Sequence, residues 1–325
     1  MAGRRRRVAA VWRMSSGCCC VLLLCCGALA SREAPAAGAA DVSGFSVENP
    51  APGVYVHYGS QAEMSAANFG DVANLGFVVG ARCVAVIDTG GTYAVGRALR
   101  EAVRRVATVP VCYVINTHVH PDHIFGNAAF ADDRPEYVGH ARLADAMRSR
   151  GPNYLNALRR DLGAAAQSTA IVLPTHAVAA TEDLDLGGRV LTVRAWPAAH
   201  TDTDLTIFDN GSRTLWLGDL AFVGHVPVLD GNLRGYLAAL DQLRMIRADL
   251  AVPGHGRALA WPDAIVPEQR YLTRLLTDVR AAIKSGRTLT ETLATVGPGP
   301  EPWLLADQFH RRNVTAAYAE LEWDE

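Results

Sequence analysis

Thr117-His118-Val119-His120-Pro121-Asp122-His123 is the stretch that decides how this chain folds. It places three imidazoles and a carboxylate directly after the apolar segment Val111–Ile115. Residues two apart in an extended segment project to the same side, so His118, His120 and Asp122 are predicted to face one point. His123 breaks this alternation and is predicted to turn toward a neighbouring point as the next helix begins. The stretch therefore predicts a cluster that holds two metal ions.

Further ligands must come from elsewhere, because a catalytic zinc takes three protein ligands and keeps one position for water. His200, Asp219 and His255 each follow an apolar, strand-like run. Open α/β architectures gather their chemistry at the carboxyl ends of strands. For Asp219 a second interpretation is a helix N-cap, a frequent role of an aspartate after a strand.

The order of five signatures resembles the metallo-β-lactamase superfamily. They are Ile87-Asp88-Thr89-Gly90, the His-rich stretch, His200, Asp219 and His255. The resemblance runs from about Gly53 to His255, and the helical tail fits less closely. It implies an α/β fold, the four-layer αββα sandwich of this superfamily, with two mixed sheets and helices on the outer faces. Residues 45–325 are predicted to form this domain, including the C-terminal helices.

The resemblance also implies a ligand set of two zinc ions per chain, with iron or manganese as alternatives. One zinc is held by His118, His120 and His200, the other by Asp122, His123 and His255, and Asp219 bridges them as in the glyoxalase II-like hydrolases. True β-lactamases of the superfamily usually carry a cysteine at that position or nothing equivalent, so Asp219 favours another hydrolase. Asp88 is predicted to orient a ligand imidazole or the His-rich loop.

Two zinc ions predict a chemistry that needs no serine or cysteine nucleophile. A water molecule between them would lose a proton near neutral pH, and the resulting hydroxide would attack the substrate. Asp122 is the predicted catalytic residue, which orients the water and shuttles its proton. We expect hydrolysis of an ester, thioester or amide-like bond in a small-molecule substrate. Because ligands come from both halves of the chain, the site should lie at one edge of the interface between the sheets.

Within the superfamily, four softer stretches resemble the quinoprotein relay system zinc metallohydrolases: Asn74–Gly80, His123–Asn127, Val226–Gly231 and Arg312–Tyr318. This resemblance implies an association with a periplasmic quinoprotein dehydrogenase system. Three other functions stay open: a β-lactamase, a mononuclear iron sulfur dioxygenase with two imidazoles and a carboxylate, and a non-enzymatic accessory protein of the quinoprotein system.

Composition and the N-terminal segment limit the partners and the compartment. The chain has 325 residues, 50% of them apolar, and a net charge of −2, so it can bury a core but lacks the basic excess that nucleic-acid binding needs.

Residues 1–30 are predicted to be a signal peptide, with Arg4–Arg7 before an apolar run and Ala28-Leu29-Ala30 at the cleavage site. The run is short for a membrane anchor. Mitochondrial import is the alternative. We expect a periplasmic or secreted protein with a flexible linker at residues 31–44.

Several further expectations concern single elements. Helical spacing predicts helices over Tyr93–Val106, Leu233–Leu243, Glu268–Ile283 and Asp307–Leu321. Gly151-Pro152-Asn153-Tyr154 is predicted to interrupt the segment 141–175, which we expect to shape the substrate pocket. Cys83 and Cys112 are expected to be buried free thiols, with a disulfide between neighbouring strands as the alternative. The remaining histidines of the mature chain are expected to be core or surface residues and not metal ligands: His57, His140, His176, His225 and His310.

Overall fold

The computed structural model describes Val42 and residues 44–323. The predicted signal peptide and nearly all of the predicted linker lie outside these residues. The strands are β1 Glu48–Ala51, β2 Val54–His57, β3 Leu75–Val79, β4 Val84–Ile87, β5 Val111–Ile115, β6 Glu136–His140, β7 His176–Val178, β8 Thr181–Asp185, β9 Val190–Ala195, β10 Leu205–Asp209, β11 Thr214–Phe222, β12 Leu250–His255 and β13 Leu259–Ala260. The helices are α1 Tyr93–Val106, α2 Pro121–Ile124, α3 Leu143–Leu162, α4 Leu233–Leu243, α5 Val266–Lys284, α6 Leu289–Thr295 and α7 Ala306–Leu321.

The strands form two mixed sheets. The first runs in the order β1 to β7, antiparallel as far as β4 and parallel from β4 to β7. The second has the order β13-β12-β11-β10-β9-β8, in which only β11 and β12 are parallel. Parallel pairs need crossover connections, and α1 supplies the one between β4 and β5. The mixed character of both sheets agrees with the predicted fold class.

Alternating side chains divide the core into layers. In β4, Ala85 and Ile87 pack between the two sheets, whereas Val84 and Val86 pack on the outer face with α1. In β11, Trp216 lies between the sheets while Leu215 and Leu217 pack with α4, α5 and α7. A strand buried on both faces is apolar along its length, as β4 is throughout and β11 is from Leu215 to Leu217. The result is helix, sheet, sheet, helix.

Helix α1 follows directly from its sequence. Thr92 accepts a hydrogen bond from the backbone of Val95 and so caps the first turn. Val95, Leu99 and Val103 are buried along one face, and each contributes about 1.5–3 kcal/mol by burial. Helices α4, α5 and α7 likewise lie within two residues of the predicted bounds.

The predicted interruption at Gly151-Pro152 is wrong. Helix α3 continues through Pro152. Proline removes one backbone hydrogen bond, but Leu143, Met147, Leu158 and Leu162 are buried on one face along the whole helix. Packing along both halves therefore outweighs the local cost.

The expectation of free thiols is also wrong, because Cys83 and Cys112 form a disulfide. Cys83 precedes β4 and Cys112 lies in β5, and these strands are parallel neighbours. The pairing brings the two Cα atoms to 5.7 Å, within the range that a disulfide spans.

No helix in the described part of the chain is long and apolar enough to cross a membrane.

Candidate metal centre

The seven predicted ligand residues come together at one edge of the two sheets. His118 and His120 lie in the turn after β5, and Asp122 and His123 lie in the short helix α2. His200 lies between β9 and β10, Asp219 within β11, and His255 at the end of β12. Their ligand atoms form two groups, each with atoms within 4.8 Å of one another: His118, His120, His200 and Asp219, and beside them Asp122, His123 and His255.

Asp219 faces both groups. Its Oδ2 lies 3.5 Å from His118 Nε2 and 3.3 Å from His200 Nε2. Its Oδ1 lies 3.2 Å from His123 Nε2 and 3.5 Å from His255 Nε2. One carboxylate oxygen is thus directed at each group, which is the geometry of a bridging ligand.

Asp219 was expected just past the end of its strand, but β11 continues through it to Phe222. The strand is irregular here: its register with β12 shifts on both sides of Gly218, which has a φ of +50°. A bulge of this kind redirects a side chain. Glycine is also required at position 254, because a Cβ there would lie 1.9 Å from Asp219 Oδ1.

Each of the five imidazoles has one ring nitrogen held by an acceptor and the other directed to the centre. His200 Nδ1 lies 2.7 Å from Val228 O, and His255 Nδ1 lies 2.9 Å from Val72 O. Carbonyl oxygens only accept, so these Nδ1 atoms carry the proton and leave Nε2 with a lone pair. His120 is turned the other way, with Nε2 3.1 Å from Asp230 Oδ2 and Nδ1 inward.

Asp88 holds the His-rich segment, as predicted. Its Oδ2 lies 2.8 Å from His123 Nδ1 and accepts a hydrogen bond of 2.7 Å from Thr117 Oγ1, while Oδ1 accepts one of 2.8 Å from the Thr117 backbone. Thr117 Oγ1 in turn lies 3.0 Å from His118 Nδ1. Because the hydroxyl proton goes to Asp88, the oxygen accepts from His118 and leaves His118 Nε2 free. One carboxylate thereby orients two ligand imidazoles.

These donors fit a divalent metal. Nε2 of His118 and of His123 and Oδ1 of Asp219 are buried, and within the described residues none has a hydrogen-bond partner of acceptable geometry. Buried polar atoms are costly when unpaired. His200 Nε2 and His120 Nδ1 are only 3.0 Å apart with both lone pairs inward. One cation in each group would satisfy these atoms, and nitrogen and carboxylate oxygen are the donors that zinc takes.

Burial keeps the centre ready for a cation. Desolvation holds the pKa of His118 well below its usual value and lowers that of His200 to about 4, so both imidazoles are neutral. Burial also opposes ionisation of Asp219, but His123 and His255 outweigh it and hold the carboxyl pKa well below its usual range. Burial opposes the protonation of His123 and His255 too, but the Asp219 carboxylate outweighs it and raises the pKa of both. These two imidazoles would therefore release a proton on binding a metal, which takes neutral imidazole and ionised carboxylate.

A second buried carboxyl group supports the backbone at Asp219. The Tyr236 hydroxyl donates to Asp219 O, and Glu268 Oε1 lies 2.6 Å from the same hydroxyl. One proton cannot serve both acceptors. Burial raises the pKa of Glu268 well above its usual value, so the carboxylic acid donates to Tyr236. Sequence patterns did not indicate this pair, because α4 and α5 bring it to β11 only in the folded chain.

A cavity of about 160 Å³ opens onto the centre. Its floor includes His120, Asp122, Asp219 and His255, and its walls come from the loop before β3, the end of β11 and the start of α7. The segment 141–175 supplies none of the lining residues, contrary to expectation. It reaches the site through Arg150, which pairs with Asp230 beside His120. Because Arg150 contacts Asp230, the segment supports the candidate metal ligand His120 but does not line the cavity.

His225 is buried and belongs to neither donor group, as expected, and it also lines the cavity. Its ring stacks on His255 at a centroid distance of 5.3 Å. Position 225 carries no motif that would have singled it out. The other four histidines lie elsewhere: His57 pairs with Asp71, His176 with Glu136 and Glu182, His310 with Tyr271, and the His140 Nδ1 accepts from the Arg142 backbone.

The sequence profile of the metallo-β-lactamase superfamily matches residues 69–255, more than half of the chain. The chain belongs to this superfamily. As a metallo-β-lactamase superfamily hydrolase it carries candidate metal-binding residues in the matched segment, from His118 to His255.

Individual relatives agree with this assignment. The chain is 25% identical over 217 residues to a linear primary-alkylsulfatase from Pseudomonas sp. (strain ATCC 19151), a match that covers 55% of this chain and 40% of that protein. This superfamily member thus spans less than half the length of that relative. A metallo-β-lactamase from Pontibacter korlensis superposes with a TM-score of 0.58 at 18% identity, over 70% of this chain and 99% of the other. A double mutant of the sec-alkyl sulfatase PisA1 gives 0.65 at 16% identity, over 84% and 50%. Both structures show the same fold.

Proposed function

We propose that this chain is an exported, zinc-dependent hydrolase with two metal ions that cleaves an ester, thioester or amide-like bond. The observation that carries the proposal is Asp219, whose two oxygens are directed at two adjacent donor groups. A structural zinc site is enclosed by its ligands. Here four of the candidate ligand residues line a cavity that a substrate can enter, which supports catalysis.

The residues divide the work of binding. His118, His120 and His200 would hold one cation and Asp122, His123 and His255 the other, with Asp219 shared. When bound, the two cations supply Lewis acidity and lower the pKa of water from ~15.7 to ~7. Asp230 and Asp88 fix the ring orientation of His120 and of His123. The protein thereby holds the donors in place before substrate arrives.

Asp122 is the proposed catalytic residue. Its Oδ2 lies 3.6 Å from His123 Nε2 and 3.4 Å from His255 Nε2. Oδ1 is therefore the oxygen left to orient a water molecule and to accept its proton. The side chain is partly exposed and lines the cavity, so this oxygen can be reached from the substrate side.

The test is metal quantification of the purified protein together with a substrate panel. We expect two zinc ions per chain and turnover of a carboxylic ester or thioester. His200→Ala should lose metal and at least a hundredfold in kcat/KM, whereas His176→Ala, a histidine far from the centre, should lose neither at pH 8. One iron per chain with consumption of oxygen would instead establish a sulfur dioxygenase, and rapid cleavage of a chromogenic cephalosporin a β-lactamase.

Sulfate esters are the second candidate substrate. The reason is the 25% identity to the linear primary-alkylsulfatase and the fold shared with the sec-alkyl sulfatase. Octyl sulfate therefore belongs in the same panel, with sulfate release as the measurement.

Export and partnership are part of the proposal. The disulfide between Cys83 and Cys112 suits an oxidising compartment such as the periplasm. We also propose that the protein works beside a periplasmic quinoprotein dehydrogenase. Cell fractionation and co-purification from the native organism test these two points.

A further inference from the structure

The volume of the cavity and the residues that line it restrict which substrates can bind at the metal centre. We propose that the cavity selects a small, uncharged ester or thioester whose acyl group is apolar and about four carbons long. This inference rests on the proposed hydrolase function and adds the substrate class.

The volume of the cavity limits how much of the acyl group it can cover. The cavity measures about 160 Å³. An apolar cavity of ~150 Å³ accommodates benzene, whereas sites for drug-sized ligands measure ~300–1,000 Å³. A butanoyl group is smaller than benzene and fits. An eight-carbon chain or a fused bicyclic ring exceeds this volume, and part of it would remain in water.

The walls are apolar. Phe222 lies parallel to the His255 ring at a centroid distance of 5.1 Å, and Phe309 packs against His225 at 5.5 Å. Met64, Val72 and Val228 complete the wall. Apolar surfaces of this kind gain free energy when they are covered by a hydrocarbon group.

The charge of the cavity wall disfavours an acyl group that carries a negative charge. Among the described residues, none of those that line the cavity is an arginine or a lysine. The exposed Glu63 lies in the wall instead, on a loop that Asn68 ties back through a 3.0 Å hydrogen bond to Glu63 O. Arg150, the arginine that approaches the centre, is paired with Asp230. A carboxylate on the acyl group beside Glu63 would be repelled by that negative charge.

Part of the cavity wall lies outside the segment that defines the family. Glu63 and Met64 precede residues 69–255 and Phe309 follows them. Leu304, just before α7, makes two backbone hydrogen bonds, one to Gly224 O and one from Val226 N, and thereby fixes the segment that carries Phe309. The wall is therefore built partly by residues outside the segment that carries the candidate metal ligands, while Val72, Phe222 and Val228 lie within it.

The experiment compares matched methyl esters with the zinc-loaded protein. We expect kcat/KM for methyl octanoate to stay within threefold of that for methyl butanoate, because the additional methylene groups would lie beyond the cavity wall and contact water. An extended apolar groove would instead raise it roughly fourfold per methylene. Monomethyl succinate, which replaces the terminal methyl group by a carboxylate, should be at least tenfold poorer than methyl butanoate.

Two variants locate the effect. Phe309→Ala should raise the octanoate-to-butanoate ratio at least tenfold. Glu63→Gln should raise the succinate-to-butanoate ratio at least threefold, whereas Glu101→Gln, an exposed carboxylate on α1, should leave both ratios unchanged. Equal or faster turnover of monomethyl succinate, or a hundredfold gain with methyl octanoate, overturns the inference.

Binding provides a readout that does not depend on turnover. Calorimetric titration with butanamide and octanamide should give dissociation constants within threefold of each other for the wild type. In Phe309→Ala, octanamide should bind at least tenfold more tightly than butanamide. If this pattern holds while no ester is cleaved, the proposed hydrolase function fails and the assignment of the cavity stands; if octanamide binds the wild type a hundredfold more tightly, the cavity assignment fails.

Discussion

At the residue scale, the centre depends on carboxylates whose surroundings give each a different task. Asp219 is directed at both donor groups, Asp88 holds two imidazoles from behind, and Asp122 faces the cavity. All three were identifiable by their position after strand-like segments. What sequence spacing did not provide was their orientation, which depends on an irregular β11 and on Thr117.

Replacing Asp219 with alanine tests the bridging role. The change removes the oxygens that face four imidazoles, so we expect the metal content to fall from two ions to one or none, with at least a hundredfold loss of kcat. Metal analysis and circular dichroism of the purified variant check this. A variant that keeps both its metals and its turnover would rule out the bridging role.

Replacing Asp88 with asparagine tests the support of His123. An amide cannot offer two anionic oxygens, so His123 loses the partner that fixes its tautomer, and metal affinity should fall 10- to 100-fold. Competition with a chromogenic chelator measures it. Glu136→Gln is the matched control, because Glu136 lies 2.9 Å from His176 in a carboxylate–imidazole pair outside the centre; it should leave metal affinity unchanged.

At the element scale, helices were predicted more accurately than strands and turns. α1, α4, α5 and α7 have a buried face that repeats every three to four residues, which is visible in the chain itself. The strand β11 and helix α3 extend further than predicted because partners in the fold compensate for Gly218 and Pro152. Elements whose local sequence disagrees with their structure are therefore those held by tertiary packing.

The disulfide between the segments of β4 and β5 should stabilise the first sheet. It closes a loop with a sequence separation of 29, for which the chain-entropy relation gives about 3.6 kcal/mol. Urea unfolding of Cys112→Ser against the wild type should show a loss of this size. Thiols should be titrated in the denatured, unreduced protein from which residues 1–30 have been removed, so that Cys83 and Cys112 are the cysteines present. No free thiol is expected; two free thiols would contradict the pairing.

His176 should make stability depend on pH. It lies on β7 between Glu136 of β6 and Glu182 of β8, and so joins the two sheets. Hydrogen bonds to Glu136 and Glu182 raise its pKa. A raised pKa adds stability that is complete below the unfolded value of ~6.5 and is lost as the pH rises through the folded value.

We therefore expect His176→Ala to lower the free energy of unfolding at pH 5.5, by less than about 1 kcal/mol because the pair is partly exposed. At pH 8.5 the difference should be close to zero. Urea unfolding at both pH values measures it, and an equal loss at both would show that the charge plays no part.

At the scale of the whole molecule, the centre joins the two sheets, so metal and stability should be linked. Removing the metal with a chelator leaves buried donors unpaired. A ligand present at 100 times its dissociation constant adds about 2.7 kcal/mol, so we expect the unfolding midpoint to fall by about 5 °C or more and to recover with added zinc. Calorimetry measures it, and Asp219→Ala should respond much less. An unchanged midpoint in the wild type would show that metal binding does not stabilise the fold.

The amino-acid sequence by itself indicated which side chains gather as candidate metal ligands and which layers the chain forms. Histidines and aspartates after apolar runs identified seven candidate ligands, and apolar periodicity identified the main helices. Only the tertiary structure decided that Asp230 and Glu268 support the centre, that Cys83 meets Cys112, and that Met64 and Phe309 bound the cavity. These partners lie far apart along the chain, and their contacts depend on how strands pair and layers stack, which local spacing does not encode.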